Sequence, residues 1–234
     1  MDSDLSRYAR QTMLPQLGEE GQRRLRAASV LVVGLGGLGA PVSIYLTGAG
    51  VGRIGLCDAD TVSLTNLQRQ VLYTEGQIGL PKTACARERL AAMSGATAFD
   101  VHPGGLTTEN ADSIIAGYDL VVDCCDNFAT RYLIDDACAR LGKPWVYGSI
   151  GEFNGQLALM GGRRGLRYTA LYPDRDALCA RPRTVAGVLG PVPGIVGAMQ
   201  AAEALKWLAG IECALDGTLF AIDTLTFETY KLQY

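Results

Sequence analysis

A glycine-rich segment with an acidic residue beyond it gives the first indication of function in this sequence. Four apolar residues, 30–33, run into a Gly-x-Gly-x-x-Gly pattern at residues 34–39, and residues 40–49 can form a helix. Glycines let the backbone approach a phosphate, and the N-terminus of a helix supplies unpaired N–H groups. Asp58 ends the next apolar run and can accept hydrogen bonds from ribose hydroxyls. This pattern predicts a nucleotide ligand but does not name a reaction.

Two basic residues after Asp58 favour a triphosphate. The dense polar run of residues 58–70 includes Arg69, and Lys82 follows a proline that suits the first turn of a helix. The dipole of such a helix would also favour anionic oxygens at its N-terminus. Arg69 and Lys82 could therefore both reach the phosphate groups of a nucleotide.

An acidic residue later in the chain could hold a magnesium ion. Asp126 and Asn127 follow the strand-like residues 118–122, and parallel strands present their ligands at this end. A carboxylate close to a triphosphate is a usual magnesium ligand. These acidic and basic residues together suit a nucleoside triphosphate better than a dinucleotide, whose two phosphates are usually held by backbone groups alone. Asp60 and Asp123 lie beside the two functional acids and are predicted only to cap turns.

The elements that would position these residues alternate along the first part of the chain. Apolar strand-like runs are separated by helix-like segments, which is typical of βαβ units in a parallel sheet. Strands are predicted at about residues 30–34, 53–57, 97–102, 118–123 and 144–148. Helices are predicted at about residues 40–49, 81–93, 107–116 and 127–141. We therefore expect an α/β, Rossmann-like fold.

The pattern changes after Ser149. Residues 151–159 and 217–232 have the character of antiparallel strands, so the mainly parallel sheet should be continued by antiparallel strands in the C-terminal half. Residues 173–186 show no clear period and are expected to form a mobile loop.

Length, charge and hydropathy narrow the class of protein. A chain of 234 residues fits one large α/β domain. We divide that domain, residues 1–234, into an N-terminal arm and helix (1–28), a nucleotide-binding half (29–150), and a part with antiparallel strands, a crossover loop and the C-terminal helix (151–234). A net charge of −3 argues against binding of nucleic acid or of an anionic membrane, since both need clustered cations. The uncharged residues 30–52 contain seven glycines and a proline, which is unlike a membrane span. The start has no secretory pattern, so a cytoplasmic protein is expected.

Seven stretches of this sequence, taken in order, resemble the ThiF/MoeB/HesA family, the bacterial relatives of ubiquitin-activating enzymes. They cover nearly the whole chain. The stretches are residues 7–11 (RYARQ), 34–39 (GLGGLG), 58–62 (DADTV), 66–70 (NLQRQ), 79–82 (GLPK), 123–127 (DCCDN), and 187–192 (GVLGPV) with the helix-like 199–206. The resemblance implies ATP-dependent adenylation of the C-terminal glycine carboxylate of a small ubiquitin-like sulfur-carrier protein ending Gly-Gly, with release of pyrophosphate.

The resemblance also implies roles for single residues. Nucleotide ligands are expected at Gly36, Gly37, Asp58, Asn66, Arg69, Lys82, Asp126 and Asn127. Catalysis is expected from Arg69, Lys82, Asp126 and Arg10, with magnesium linked to Asp126. Arg10 would reach the ATP of a neighbouring subunit, which implies a homodimer with two composite sites. A sulfur donor or sulfurtransferase would follow, in thiamine, molybdopterin or other thio-compound biosynthesis.

Cysteine usage departs from the family pattern. Many members bind a structural zinc through two Cys-x-x-Cys pairs, but no such pair occurs here, and the first aligns with Arg167 and Ala170. A structural zinc is therefore not expected. Cys179 lies in the segment that crosses toward the active site in relatives, where some use a cysteine for a covalent sulfur link to the carrier. Cys179 is a candidate for this link. Arg183 occupies the aligned place, however, and Cys179 lies eight residues before Gly187, which favours the alternative of an incidental thiol.

Two other functions stay open at this point. The glycines and Asp58 taken alone are also typical of an NAD-dependent oxidoreductase with a Rossmann domain. A change in melting temperature with ATP or with NAD would separate these two functions. The other alternative is a scaffold that binds a carrier without catalysis, and the intact set of phosphate-binding residues argues against it.

Overall fold

One eight-stranded sheet forms the centre of the molecule in the computed structural model, which describes residues 6–181 and 187–234. The strands are β1 (Ser29–Val33), β2 (Arg53–Cys57), β3 (Ala98–His102), β4 (Leu120–Asp123), β5 (Trp145–Gly151), β6 (Asn154–Met160), β7 (Thr218–Asp223) and β8 (Glu228–Gln233). Their order is β3-β2-β1-β4-β5-β6-β7-β8. Neighbours from β3 to β5 are parallel, and neighbours from β5 to β8 are antiparallel. The predicted α/β fold, with its antiparallel continuation, is confirmed.

Helices cover both faces of this sheet. They are α1 (Ala9–Thr12), α2 (Gly18–Ala27), α3 (Gly39–Gly48), α4 (Lys82–Met93), α5 (Ala111–Ala116), α6 (Phe128–Leu141), α7 (Tyr168–Leu171), α8 (Arg175–Cys179) and α9 (Pro191–Ala209). α3, α4 and α9 pack on one face, and α5, α6 and α7 pack on the other. None of these helices is long and apolar enough to cross a membrane.

Residues of one strand alternate between two apolar cores. In β1, Val30 and Val32 belong to the core beneath α3 and α9, whereas Leu31 and Val33 belong to the core beneath α6. Because both faces of these central strands are covered, residues 30–33 of β1 and 120–122 of β4 are apolar at every position. Truncation of a fully buried leucine such as Leu31 to alanine would cost about 2–5 kcal/mol of stability. The packed sheet supports the loops that follow the carboxyl ends of its parallel strands.

Two predicted segments differ from the structure. The helix predicted at 107–116 begins only at Ala111, because the side chain of Asn110 accepts a hydrogen bond from the Thr107 N–H at 2.8 Å and closes a turn first. The expectation of a mobile loop at 173–186 is wrong for its first part, which forms α8 with Asp174 as a side-chain N-cap. Residues 182–186, including Arg183, lie outside the described residues.

Candidate nucleotide site

A cleft of about 570 Å³ opens at the carboxyl edge of the parallel strands. β1, β2 and β4 end at this edge, and the segments that follow them form the cleft walls. Its lining includes Gly36, Gly37, Asp58, Arg69, Lys82, Asp126 and Asn127. The topology therefore brings together residues that are up to 91 positions apart in the sequence (36 to 127).

The glycine-rich turn joins β1 to α3 and forms the floor of the cleft. Gly34 has a φ of +94°, and a Cβ there would lie 2.5 Å from the carbonyl oxygen of Cys124, so only glycine fits. Gly36 and Gly37 face the cleft. Leu38, the N-cap residue of α3, gives no side-chain hydrogen bond to the helix. Ala40 in the first turn of α3 donates its N–H to the Gly36 carbonyl at 3.0 Å, and Pro41 has no N–H, so a phosphate there would meet the backbone of the glycine turn and be favoured by the helix dipole.

Asp58 is fixed directly beside this turn. Its Oδ2 accepts a hydrogen bond from the Leu35 N–H at 2.6 Å, and its Oδ1 accepts one from the Asp60 N–H at 2.8 Å. The carbonyl of Leu35 accepts in turn from the buried Tyr73 hydroxyl at 2.8 Å. Each carboxylate oxygen of Asp58 keeps a second acceptor position. The side chain is thus preorganised to accept from two ribose hydroxyls.

The two predicted cations lie on neighbouring sides of the cleft. Arg69 donates to the Thr65 carbonyl at 3.1 Å, and its side chain lies over Gly37. Lys82 is the first residue of α4; its side chain is only 6% exposed, and Nζ lies 2.9 Å from Oδ2 of Asp60. The prediction that Asp60 only caps a turn is therefore wrong, since its carboxylate is the counter-ion of the buried lysine.

Asp126 lies directly before the N-cap residue of α6. Asn127 is the N-cap of this helix, and its side-chain oxygen accepts from the Thr130 N–H at 2.9 Å. Asp126 is exposed and lines the cleft. Protein-bound magnesium usually takes one or two carboxylates together with phosphate oxygens. A single carboxylate at a phosphate-binding cleft fits that donor set.

A metal site built from several protein ligands, such as a structural zinc site, needs a cluster of His, Cys, Asp or Glu side chains. Within residues 6–181 and 187–234, no group of three or more His, Cys, Asp or Glu side chains is arranged to hold a metal ion. Arg167, at a position where the sequence resemblance predicted a zinc cysteine in relatives, contacts two carboxylates. Its guanidinium lies 2.9 Å from Asp135 and 3.5 Å from Asp136.

Two charged residues at the base of the cleft were not identified from the sequence as part of the site, although Arg131 is one of the residues that line it. Asp123 is fully buried at the end of β4, and its Oδ2 lies 3.4 Å from Nε of Arg131 in α6. Burial raises the pKa of Asp123, and the charge of Arg131 opposes that rise. A charged residue that ends an apolar strand needs a partner when it is buried. That requirement was the available signal for Arg131, four positions after Asn127.

Three predicted functional residues do not line this cleft. Asn66 lies one turn before Arg69, and its carbonyl accepts from the backbone N–H groups of Arg69 and Gln70. Arg10 is exposed on α1, and its neighbour Gln11 donates to the carbonyl of Ala49, just after α3. α3 begins at the cleft and has 10 residues, or about 15 Å, so Arg10 lies at its far end.

Cys179 also lies outside the lining, as the exposed last residue of α8. By contrast, Cys125 lines the cleft beside Asp126. Burial, and then the nearby Asp123, raise the pKa of the Cys125 thiol well above its usual range. A neutral thiol is a weak nucleophile, so Cys125 fits a packing role.

Several proteins are similar in sequence to this chain over nearly its whole length. A sulfur carrier protein adenylyltransferase of Thermus thermophilus is 48% identical over 98% of this chain and 87% of its own length. An adenylyltransferase and sulfurtransferase MOCS3 of Culex quinquefasciatus is 45% identical over 99% of this chain, which spans 54% of that protein. A probable molybdopterin-synthase adenylyltransferase of Porphyra purpurea is 38% identical, and the chain spans 61% of it.

Solved structures share the fold at lower identity. Escherichia coli MccB, in a complex with an MccA variant, matches 99% of this chain and 72% of its own with a TM-score of 0.88 and 21% identity. PaaA matches with a TM-score of 0.85 and 17% identity, over 100% of this chain and 74% of its own. The model of the ThiF family matches residues 8–234. The chain therefore belongs to the ThiF family and groups with its adenylyltransferases.

Proposed function

We propose that this protein is an ATP-dependent adenylyltransferase for a small ubiquitin-like sulfur-carrier protein that ends in Gly-Gly. The observation that carries the proposal is the single cleft that unites a glycine turn, a ribose-type acid, two cations and a magnesium-type acid. Family membership, and relatives named as adenylyltransferases, support this function over an NAD-dependent oxidoreductase or a carrier-binding scaffold.

In this proposal each wall of the cleft binds one part of ATP. Asp58 accepts from the ribose hydroxyls, and the phosphates lie over Gly36, Gly37 and the N-terminus of α3. Arg69 and Lys82 contact phosphate oxygens, so Lys82 exchanges Asp60 for a phosphate as its partner. Asn66 stays a predicted phosphate ligand, and Asn127 holds the start of α6. Asp126 would hold magnesium in this cleft, and the bound ion would supply positive charge near the phosphates.

The reaction needs no protein nucleophile. An oxygen of the carrier's terminal carboxylate forms a bond to the α-phosphorus, and the bond from that phosphorus to the bridging oxygen breaks. Pyrophosphate leaves with the electron pair, and the carrier becomes an acyl-adenylate. Catalysis therefore consists of aligning two anions and neutralising the charge on the phosphate oxygens, which is the task of Arg69 and Lys82.

The active form in this proposal is a homodimer. Arg10 lies at the far end of α3 from its own cleft, so the catalytic role proposed for it would be exerted in the cleft of another subunit. The proposed dimer thus has two composite sites, each completed by an arginine from its partner.

The second chemical step transfers sulfur to the activated carrier. A donor attacks the acyl carbon and AMP leaves; a separate sulfurtransferase, free sulfide or a covalent link through Cys179 are the candidate routes. Some relatives are named as both adenylyltransferase and sulfurtransferase, and this chain spans about half their length. We place the reaction in the cytoplasm, where seven free cysteines stay reduced, and in thiamine, molybdopterin or other thio-compound biosynthesis.

The test is carrier-dependent exchange of labelled pyrophosphate into ATP, because formation of a bound acyl-adenylate is reversible. Each Gly-Gly-ending carrier of the source organism is assayed, with the same carrier lacking its last glycine as a matched control. We expect exchange with at least one intact carrier and none with its truncated form. Absence of exchange with every carrier would contradict the proposal, and a melting temperature raised by NAD but not by ATP would support the oxidoreductase instead.

A further inference from the structure

The loop that carries Asp126 is held from beneath by a buried ion pair that the mechanism above does not use. Asp123 accepts a hydrogen bond from the Cys125 N–H at 3.0 Å through Oδ1, while Oδ2 faces Nε of Arg131 at 3.4 Å. Nη2 of Arg131 donates to the Cys125 carbonyl at 3.0 Å. The pair therefore binds both backbone polar groups of the residue that precedes Asp126.

Further contacts fix the two charged side chains themselves. The Arg131 guanidinium lies over the rings of Tyr147, at 5.5 Å, and Phe128, at 5.8 Å. Gln200 of α9 donates to the Asp123 carbonyl at 2.7 Å. Arg131 is 6% exposed and Asp123 is fully buried, so neither side chain is free to change position.

Stability alone does not require charges at this place. Removal of two ions from water is costly, and an apolar pair of similar volume often stabilises a core at least as well. What an apolar pair cannot do is hold the N–H and the carbonyl of one residue at set positions. Asp123 and Arg131 make such contacts, because they bind the N–H and the carbonyl of Cys125.

The fixed loop connects Asp126 with the glycine turn. On its far side, Asp126 is followed by Asn127, whose side chain caps α6. On its near side, the carbonyl of Cys124 packs directly against Gly34. Movement of the loop would therefore change the distance between the Asp126 carboxylate and the phosphate-binding turn.

We propose that Arg131 and Asp123 form a positioning pair that sets the Asp126 carboxylate against the glycine turn and so sets the magnesium affinity of the nucleotide site. This inference rests on the proposed function, because it takes Asp126 as the magnesium-linked acid. Arg131 also lines the cleft, and the role proposed for it is exerted through the loop, on the position of Asp126.

The test uses Arg131→Lys, which keeps the charge but loses the forked guanidinium that bridges Asp123 and the Cys125 carbonyl. The matched control is Arg140→Lys, on the same helix, where the guanidinium bonds the exposed Asp112 at 2.6 and 3.1 Å. Two quantities are measured in the full chain. They are the melting-temperature rise with ATP, in EDTA and in magnesium, and the magnesium concentration that gives half-maximal pyrophosphate exchange.

Arg131→Lys should raise the half-saturating magnesium concentration about 10-fold, the lower end of the usual loss when a group supporting a metal ligand is replaced. Excess magnesium should restore the exchange rate, and the rise in melting temperature with ATP in EDTA should match the wild type. Arg140→Lys should leave both quantities unchanged. Asp123→Asn, which keeps the side-chain shape, is the second variant and should act in the same direction.

Wild-type magnesium dependence in a folded Arg131→Lys or Asp123→Asn protein would overturn the positioning role. Equal losses of ATP binding with and without magnesium would also overturn it, because they indicate a general structural defect. Failure of the proposed function has a different signature, since the wild type itself would then show neither exchange nor a melting-temperature rise with ATP.

Discussion

Residues predicted to serve one reaction lie in two different regions of this molecule. Asp58, Lys82 and Asp126 line a single cleft. Contacts within the chain fix the side chains of Asp58 and Lys82, and Asp126 precedes the capped start of α6. Arg10 and Cys179 are exposed and lie outside that cleft. These three predicted nucleotide-binding residues thus come together within one chain, whereas the residues predicted to act with a second protein lie outside the cleft.

The difference has a physical basis. Adenylation requires charges held in place before the phosphate arrives, since reorganisation during the reaction would raise its barrier. A group that serves a partner subunit or a carrier must instead remain accessible until that protein docks. Each of the following predictions tests one side of this comparison.

The largest effect is expected within the cleft. Arg69→Ala, Lys82→Ala and Asp126→Ala should each lower carrier-dependent pyrophosphate exchange by about 100-fold or more, the usual cost of removing a preorganised transition-state contact. Melting temperatures should barely change for Arg69 and Asp126. Lys82→Ala leaves the 74% exposed Asp60 carboxylate to be solvated by water, so it too should remain folded.

Arg140→Ala is the control for these variants, because it removes an exposed arginine that lies outside the cleft lining. Its exchange rate should equal that of the wild type. Near-normal exchange in the three cleft variants, or global unfolding of them, would show that structural residues had been mistaken for catalytic ones.

Much of the cleft was predictable because its signals are local in sequence. The glycine turn, Asp58 and the Asp126–Asn127 pair each follow an apolar strand, and parallel topology brings the ends of such strands to one edge. The pairing of β5 with β6 also follows from the change of pattern after Ser149. These features depend on strand order rather than on particular side-chain partners.

The partners of the charged residues were not predictable in the same way. Lys82 meets Asp60 across 22 positions, and Arg131 meets Asp123 only because the start of α6 folds back over the end of β4. Both aspartates look like turn caps in the sequence. α8 was missed for another reason, since one N-cap and the Arg175–Asp136 ion pair at 2.5 Å hold a helix too short to show a period.

A smaller effect is expected when the two regions are tested together. Arg10→Ala and Lys82→Ala chains, each inactive alone, should regain activity when their subunits are exchanged. Half of the dimers in an equal mixture are mixed, and one of the two sites in each has both residues intact. Exchange should therefore recover to about a quarter of the wild-type rate.

Arg69→Ala mixed with Lys82→Ala is the control, because both residues line the same cleft of one chain. This mixture should recover nothing. Equal failure of the Arg10→Ala mixture, or a monomeric mass at working concentration, would place Arg10 outside catalysis.

The smallest effect on adenylation is expected at Cys179, because the first step uses no protein nucleophile. Thiolate is the form that alkylating reagents attack. Burial, and then Asp58, raise the pKa of Cys57 to about 12, so at pH 8 only about one such thiol in 10⁴ is ionised. The pKa of Cys125 is also raised, whereas Cys179 is exposed.

Mass mapping after brief iodoacetamide treatment at pH 8 should find Cys179 labelled first. Treatment at pH 9 should increase the labelling of Cys57 by at most tenfold, because thiolate rises with pH below the pKa. Both the labelled protein and Cys179→Ala should keep wild-type pyrophosphate exchange. Loss of exchange in both would mean that a peripheral thiol takes part in activation itself and that the two regions are not separate in function.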